Sequence, residues 1–260
     1  MITLKSEREL GLIRGACGVV GEVLEMMHTL AKPGVTTREL DKAAEKLIIE
    51  RGATPAFKGY GGSGRRPPFP ASVCASINEE VVHGIPDDRE LCCGDLVSID
   101  VGAKLQGYYG DGATTVAVGE VDSEAQRLCE TCRRSLERAI AAIGPGKHLA
   151  EVGRAVQSHA EGQGFSVVRD LVGHGIGSNL WEEPQVPNYY SPRFPDVVLR
   201  PGMTIAIEPM ITAGSWRVKT LGNHWTVVTR DGSMAAHFEH SVAITRDGVE
   251  ILTVAPAKKG

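Results

Sequence analysis

Apolar residues recur at three- and four-residue spacing through Leu10, Ile13, Cys17, Val20, Leu24, Met27 and Leu30, which predicts an amphipathic helix over residues 5–30. Pro33-Gly34 ends it. Thr36-x-x-Glu39 then has the form of a capping box opening a second helix through Leu40, Ala44 and Leu47, which Gly52 closes. The same grammar returns 112 residues later: a helical run from Ser123 to Ile143, then Pro145-Gly146, then a helix through Leu149 and Val152 that stops at Gly164. Pro33 and Gly52 thus map onto Pro145 and Gly164. Strand-like segments follow each helix pair, at 71–78, 96–103 and 107–118 in the first half and 204–212, 224–229 and 237–245 in the second. Asp231-Gly232 and Asp247-Gly248 supply turns between apolar runs. The expected fold is α+β: one domain over residues 1–260, built of two pseudo-repeats (about 5–118 and 123–255) around one shared antiparallel sheet covered by helix pairs.

Carboxylates interrupt these strands. Asp100 breaks Leu96-Val97-Ser98-Ile99-Asp100-Val101, and Asp111 lies between Gly110 and Gly112. Glu208 takes a strand position in Thr204-Ile205-Ala206-Ile207-Glu208-Pro209, as does Glu239 in His237-Phe238-Glu239-His240-Ser241-Val242. Burying one ionised carboxylate costs several kcal/mol unless it is paired. None of these segments contains a Lys or Arg, so the alternatives are edge strands with every acid facing solvent, or bound divalent cations. Val172-Gly173-His174-Gly175-Ile176-Gly177 tips the balance, because it holds an imidazole between glycines that allow close backbone approach. Carboxylates with one imidazole suit two ions such as Mn, Fe(II) or Co(II) better than a thiolate zinc site. Cys129-x-x-Cys132 is the one thiol pair with metal-ligand spacing. It lies in the helical run with no partner pair and is expected to pack in the core.

Composition narrows the setting. The chain of 260 residues carries 28 Lys+Arg against 32 Asp+Glu, a formal net charge of −4 that gives no overall field towards nucleic acid or anionic lipid. Charged residues break every apolar run well short of a membrane span, and Lys5, Glu7, Arg8 and Glu9 stand where a signal peptide needs its apolar stretch. Six cysteines in a chain of this length fit a reducing compartment, and a cytoplasmic location is expected.

Several of these segments together resemble a known family, the methionine aminopeptidases of the first type, with the pita-bread fold. The resemblance spans nearly the whole chain. It is carried by Ser76-Ile77-Asn78-Glu79-Glu80-Val81-Val82-His83-Gly84-Ile85-Pro86, Gly94-Asp95-Leu96-Val97-Ser98-Ile99-Asp100-Val101 and Gly110-Asp111 in the first half. In the second half it is carried by Gly173-His174-Gly175-Ile176-Gly177, Glu182-Glu183-Pro184-Gln185-Val186, Ile207-Glu208-Pro209 and Phe238-Glu239-His240. It implies a dinuclear metallohydrolase using Co, Fe(II), Mn or Zn. Asp111 and Glu239 would bridge two ions, Asp100 would chelate one, and His174 and Glu208 would bind the other. It further implies Glu208 as proton acceptor and His83 as a partner of the scissile amide. Tyr60, Phe69, Cys74 and Trp225 would line a slot sized for a thioether side chain. The implied substrates are peptides and nascent chains, acted on by a monomer in transient contact with the ribosome exit, with no stable nucleic-acid or membrane partner.

Three departures from the family pattern accompany these matches. The loop at 59–70 is long and adds Arg65 and Arg66, Trp181 stands where the pattern has a histidine that contacts substrate, and Val172 replaces a cysteine. The indole of Trp181 is expected to cover the second or third substrate residue rather than turn into the core. A prolidase or proline aminopeptidase of the same fold, and a metal-free binding module, are the competing readings. Prolidases usually carry an extra N-terminal domain, and a binding module would have lost ligands that are all present here. The second type of methionine aminopeptidase is disfavoured because only 31 positions separate Glu208 from Glu239.

Overall fold

The computed structural model describes residues 2–64 and 66–256. Helix α1 (Glu7–Leu30) starts later than its apolar pattern suggests because Ser6 caps it, accepting from the Glu9 N–H while the Glu9 carboxylate accepts from the Ser6 N–H. Such a cap contributes about 1 kcal/mol. Helix α2 (Thr37–Glu50) opens on the expected capping box of Thr36 and Glu39. Helices α3 (Ser123–Ala142) and α4 (Ala150–Gly162) form the second pair. Gly34 and Gly146, and likewise Gly52 and Gly164, all adopt the left-handed backbone conformation.

Nine strands, all antiparallel, make the main sheet. Its path runs Thr54–Pro55, Leu96–Leu105, Tyr108–Ala117, Glu239–Ile244, Thr204–Ile207, Gly173–Gly175 and Glu182–Val186, with Val73–Ile77 and Val249–Ile251 paired beside it. The α+β class holds, and each helix pair contributes to a core against the sheet. The shared antiparallel sheet holds as well, since it takes strands from both halves, and two small three-stranded sheets stand beside it among the described residues. One joins Ala235–His237, Met210–Thr212 and Ser166–Val167, and the other joins Val218–Thr220, Val227–Thr229 and Glu80–Val82.

These small sheets arise where two expected strands break. The segment 204–212 divides at Glu208-Pro209, where proline has no N–H for a ladder, and 237–245 divides at Phe238. Glu208 therefore sits in a gap between strands rather than within one. The expected strand at 224–229 shortens to Val227–Thr229.

Helix α1 lies directly on the hairpin of Leu96–Leu105 and Tyr108–Ala117. A Cβ at Gly110 would come within 2.6 Å of the Cys17 backbone nitrogen, so the closeness of helix and sheet depends on glycine there. Ile13, Cys17, Val20 and Met27 are wholly buried, each large side chain contributing roughly 1.5–3 kcal/mol. Cys132 faces the core of the second half, its thiol near the Pro209 and Ala236 carbonyls, and the CxxC pair joins no metal-holding cluster among the described residues. Among the described residues no helix is long and apolar enough to cross a membrane.

Candidate metal centre and cleft

Strand register gathers the charged side chains on one face. Asp100 pairs with Ala113, and Gly102 with Asp111, so the two aspartates are diagonal neighbours on the same side of the hairpin. Glu239 also pairs with Ala113 and joins that side. His240 opposite Ile207 sets Glu208 beside Glu239 at the broken end, and Gly175 opposite Ile205 brings in His174 from the next strand. Gly110 and Gly112 fall on the other side, facing α1. The expected ligands Asp100, Asp111, His174, Glu208 and Glu239 thus meet in one cleft of about 440 Å³.

Donor atoms of Asp111, His174 and Glu239, all three buried, lie within 4.8 Å of one another. His174 Nε2 is 3.7 Å from Asp111 Oδ2 and 3.7 Å from Glu208 Oε1. Its Nδ1 lies 2.9 Å from the Gly175 carbonyl, which can only accept, so the hydrogen sits on Nδ1 and the Nε2 lone pair faces the carboxylates. A Cβ at Gly173 or Gly175 would strike a neighbouring carbonyl at 2.4 or 2.3 Å, which explains the glycines on either side of this histidine.

Burial dominates the electrostatics. It pushes Asp100 up to about 7 and, joined by repulsion among the acids, raises Asp111, Glu208 and Glu239 well above the usual carboxylate range. Burial also lowers His174 to about 4, leaving it neutral. Asp100 Oδ1 and Glu239 Oε1 are buried without hydrogen-bond partners among the described residues. Among the described residues no cationic side chain pairs with these acids, and oxygen donors left bare beside one free imidazole lone pair fit divalent cations.

The shifts set a pH dependence for chelator-treated protein. The raised carboxyls bind protons more tightly folded than unfolded, so their stabilisation is complete below about pH 4 and is lost as pH climbs through the folded values. The lowered histidines act oppositely, and their contribution is complete above about pH 6.5. From about pH 6.5 to 8 the carboxyls alone change, and the melting temperature should fall by several degrees. Saturating Mn(II) should abolish that slope in scanning calorimetry; a flat profile without metal would contradict the buried acid cluster.

Every expected substrate residue also lines the cleft. His83 directly follows the strand Glu80–Val82 with its backbone in the left-handed region, φ 59°. It is held there by Gly84, whose N–H donates to Ser76 Oγ at 3.0 Å and whose carbonyl accepts from the Ala75 N–H at 2.9 Å. A side chain at Gly84 would meet the Ala75 oxygen at 2.2 Å. Burial first, and the Arg66 guanidinium second, lower His83 to about 4. Phe69, Cys74 and Trp225 are buried in one apolar cluster, with the Phe69 and Trp225 rings edge to face at 5.1 Å. Tyr60 is exposed at the rim.

Trp181 does not turn into the core. It is 51% exposed and stacks on the His174 ring at 4.6 Å and 20°, nearer the centre than a contact with downstream substrate residues alone requires.

Sequence reasoning missed Arg66, Phe57 and Leu171 in the lining, and also His237. His237 is buried, neither ring nitrogen has a hydrogen-bond partner among the described residues, and Nε2 lies 4.0 Å from Glu208 Oε2. The break at Phe238 that turns it towards Glu208 has no periodicity signal. The other added arginine of the loop, Arg65, lies outside the described residues.

Residues 11–246 match the model of metallopeptidase family M24. The chain is 48% identical over 253 residues to methionine aminopeptidase 1 of Bacillus subtilis, covering 97% of this chain and 99% of that one. It is 44% identical to the methionine aminopeptidase of Escherichia coli K12, over 97% of this chain and 94% of the relative. The crystal structure of a Thermotoga maritima methionine aminopeptidase superposes with a TM-score of 0.93 at 44% identity, covering 98% of this chain and all of that one. A Pyrococcus furiosus prolidase shares the fold, with a TM-score of 0.76 at 24% identity, but this chain covers only 66% of it. The pita-bread arrangement, the convergent acids with one histidine and these full-length matches lead to one conclusion: the chain belongs to metallopeptidase family M24.

Proposed function

We propose that this chain is a metal-dependent methionine aminopeptidase, hydrolysing the first peptide bond of peptides and nascent proteins. The observation that carries the reading is a single cleft that joins five ligand-type side chains to an apolar aromatic slot. Asp100, Asp111, His174, Glu208 and Glu239 would hold two divalent ions, drawn from Co, Fe(II), Mn or Zn. Bound there, such ions supply Lewis acidity towards the carbonyl and an acidified water as nucleophile.

The protein's own residues do the rest. Phe69, Cys74 and Trp225 receive the unbranched, polarisable methionine side chain. His83, neutral at pH 7, hydrogen-bonds the scissile peptide. Glu208, in the same cleft, takes the proton of the attacking water and delivers it to the departing amine. Asn188 steadies Glu208 by donating from Nδ2 to its backbone carbonyl at 2.9 Å.

The whole chain is read as one catalytic domain of two pseudo-repeats. The matched left-handed glycines at positions 34 and 146, and at 52 and 164, support that reading. The setting is the cytoplasm, as a monomer in transient contact with the ribosome exit, in keeping with a nascent-chain substrate.

Release of methionine from Met-Ala-Ser by protein containing stoichiometric metal is the expected result. Cleavage of Ala-Pro instead would favour a prolidase, and neither metal nor hydrolysis would favour a binding module. Replacing Trp181 with His should raise kcat/KM on Met-Ala-Ser about tenfold, because indole offers one uncharged donor and cannot carry a proton. A variant no faster than the parent would refute that role.

A further inference from the structure

The described residues of the long loop pair back on one another as a hairpin. The Gly59 N–H donates to the Phe69 carbonyl at 2.8 Å, the Phe69 N–H to Tyr60 at 2.9 Å, and Ser63 and Arg66 exchange both backbone bonds at 3.1 and 3.0 Å. The Trp225 indole N–H donates to the Pro67 carbonyl at 2.9 Å and ties the hairpin to the cleft wall. Arg66 sits over the face of that indole, its Cζ 3.4 Å from the ring centroid, while the His83 ring meets the same indole edge to face at 6.2 Å.

Stacking occupies the face of a guanidinium and leaves its in-plane N–H donors free. Arg14, Arg38, Arg51 and Arg89 each grip a carboxylate, but no ion pair among the described residues engages Arg66. Among the described residues the cleft therefore has three chemically distinct regions: a floor of acids and imidazole, an apolar slot, and at the rim beside His83 the Arg66 cation with open donors. A peptide whose first bond lies at His83 has its methionine in the slot, and the chain beyond that bond passes the rim.

We propose that Arg66 is a specificity-determining residue that recognises a carboxylate carried by the substrate beyond the scissile bond, through the bidentate fit of guanidinium to carboxylate. The proposal rests on the methionine aminopeptidase reading above. The carboxylate has two sources, an acidic side chain or the C-terminus of a short peptide, and peptide design separates them.

C-terminally amidated Met-Ala-Asp-Ser should exceed amidated Met-Ala-Lys-Ser in kcat/KM by about tenfold, mostly through KM, if the side chain is read. Free-acid Met-Ala-Ser should exceed its amide by about fivefold if the terminus is read. Either preference should collapse to about one in Arg66→Met, which keeps bulk over the indole without charge, and fall only part of the way in Arg66→Lys, which keeps the charge but loses the bidentate fork. It should also shrink as salt rises.

An unchanged preference in Arg66→Met overturns the proposal, as does the absence of both preferences in the parent. An equal loss on all peptides in both variants would make Arg66 only a brace for Trp225 and overturn it too. If no Met-peptide is hydrolysed by metal-loaded protein, the aminopeptidase reading falls and takes the proposal with it; hydrolysis without charge preference removes the Arg66 role alone.

Discussion

Asp111→Asn and Glu239→Ala should each purify almost without metal and lose at least about a thousandfold in activity. Partners one layer further from a metal already change affinity or activity 10–100-fold, and these two carboxylates touch the site itself. Both are buried among like charges and close to His174. A second measurement separates loss of the site from loss of the fold. In chelator-treated protein at pH 8 the parent carries an unrelieved cluster of buried acids, so Asp111→Asn should melt higher than the parent under those conditions. Added Mn(II) should stabilise the parent and leave the variant unmoved. Full metal content in either variant, or an Asp111→Asn protein that melts lower than chelator-treated parent, would remove these residues from the centre.

His83→Ala should keep its metal and lose about a hundredfold in kcat, the scale of one preorganised hydrogen-bond donor. The imidazole borders the cleft without joining the Asp111, His174 and Glu239 cluster, so metal analysis should match the parent. Its backbone is held at a positive φ by the Gly84 contacts, an arrangement that fixes the ring before substrate arrives. Because burial keeps His83 neutral down to about pH 4, kcat should show no inflection from it near pH 6.5. Turnover at the parent level would make His83 structural, and metal loss would place it inside the ligand set.

Periodicity located the four helices within a few residues, because each buries an apolar stripe and three of them open on a side-chain cap, Ser6, Thr36 or Asp122. Acids lodged in apolar strands pointed to the centre, since charge in such a run demands compensation. Short strands were the weak point. Gly173–Gly175 has only three residues and no alternation to detect, although it carries His174. The break after Glu208 was signalled by Pro209, yet an apolar run on both sides concealed it. Arg66 was visible only as part of an insertion, because a hairpin rich in glycine and proline has no pattern that shows which wall it will lean on.

The paired register has a consequence for how such a molecule can change its length. One residue added to Leu96–Leu105 or Tyr108–Ala117 between its turn and its acid would swing Asp100 or Asp111 through the sheet to face α1, so these segments tolerate growth only in steps of two. The hairpin between Gly59 and Phe69 is under no such parity rule. It leaves the sheet and returns without carrying a ligand, and its tip can lengthen, shorten or change charge while the acids stay in register. Innovation in substrate choice is thereby channelled into a single appendage, and the reaction centre is insulated from the trial and error.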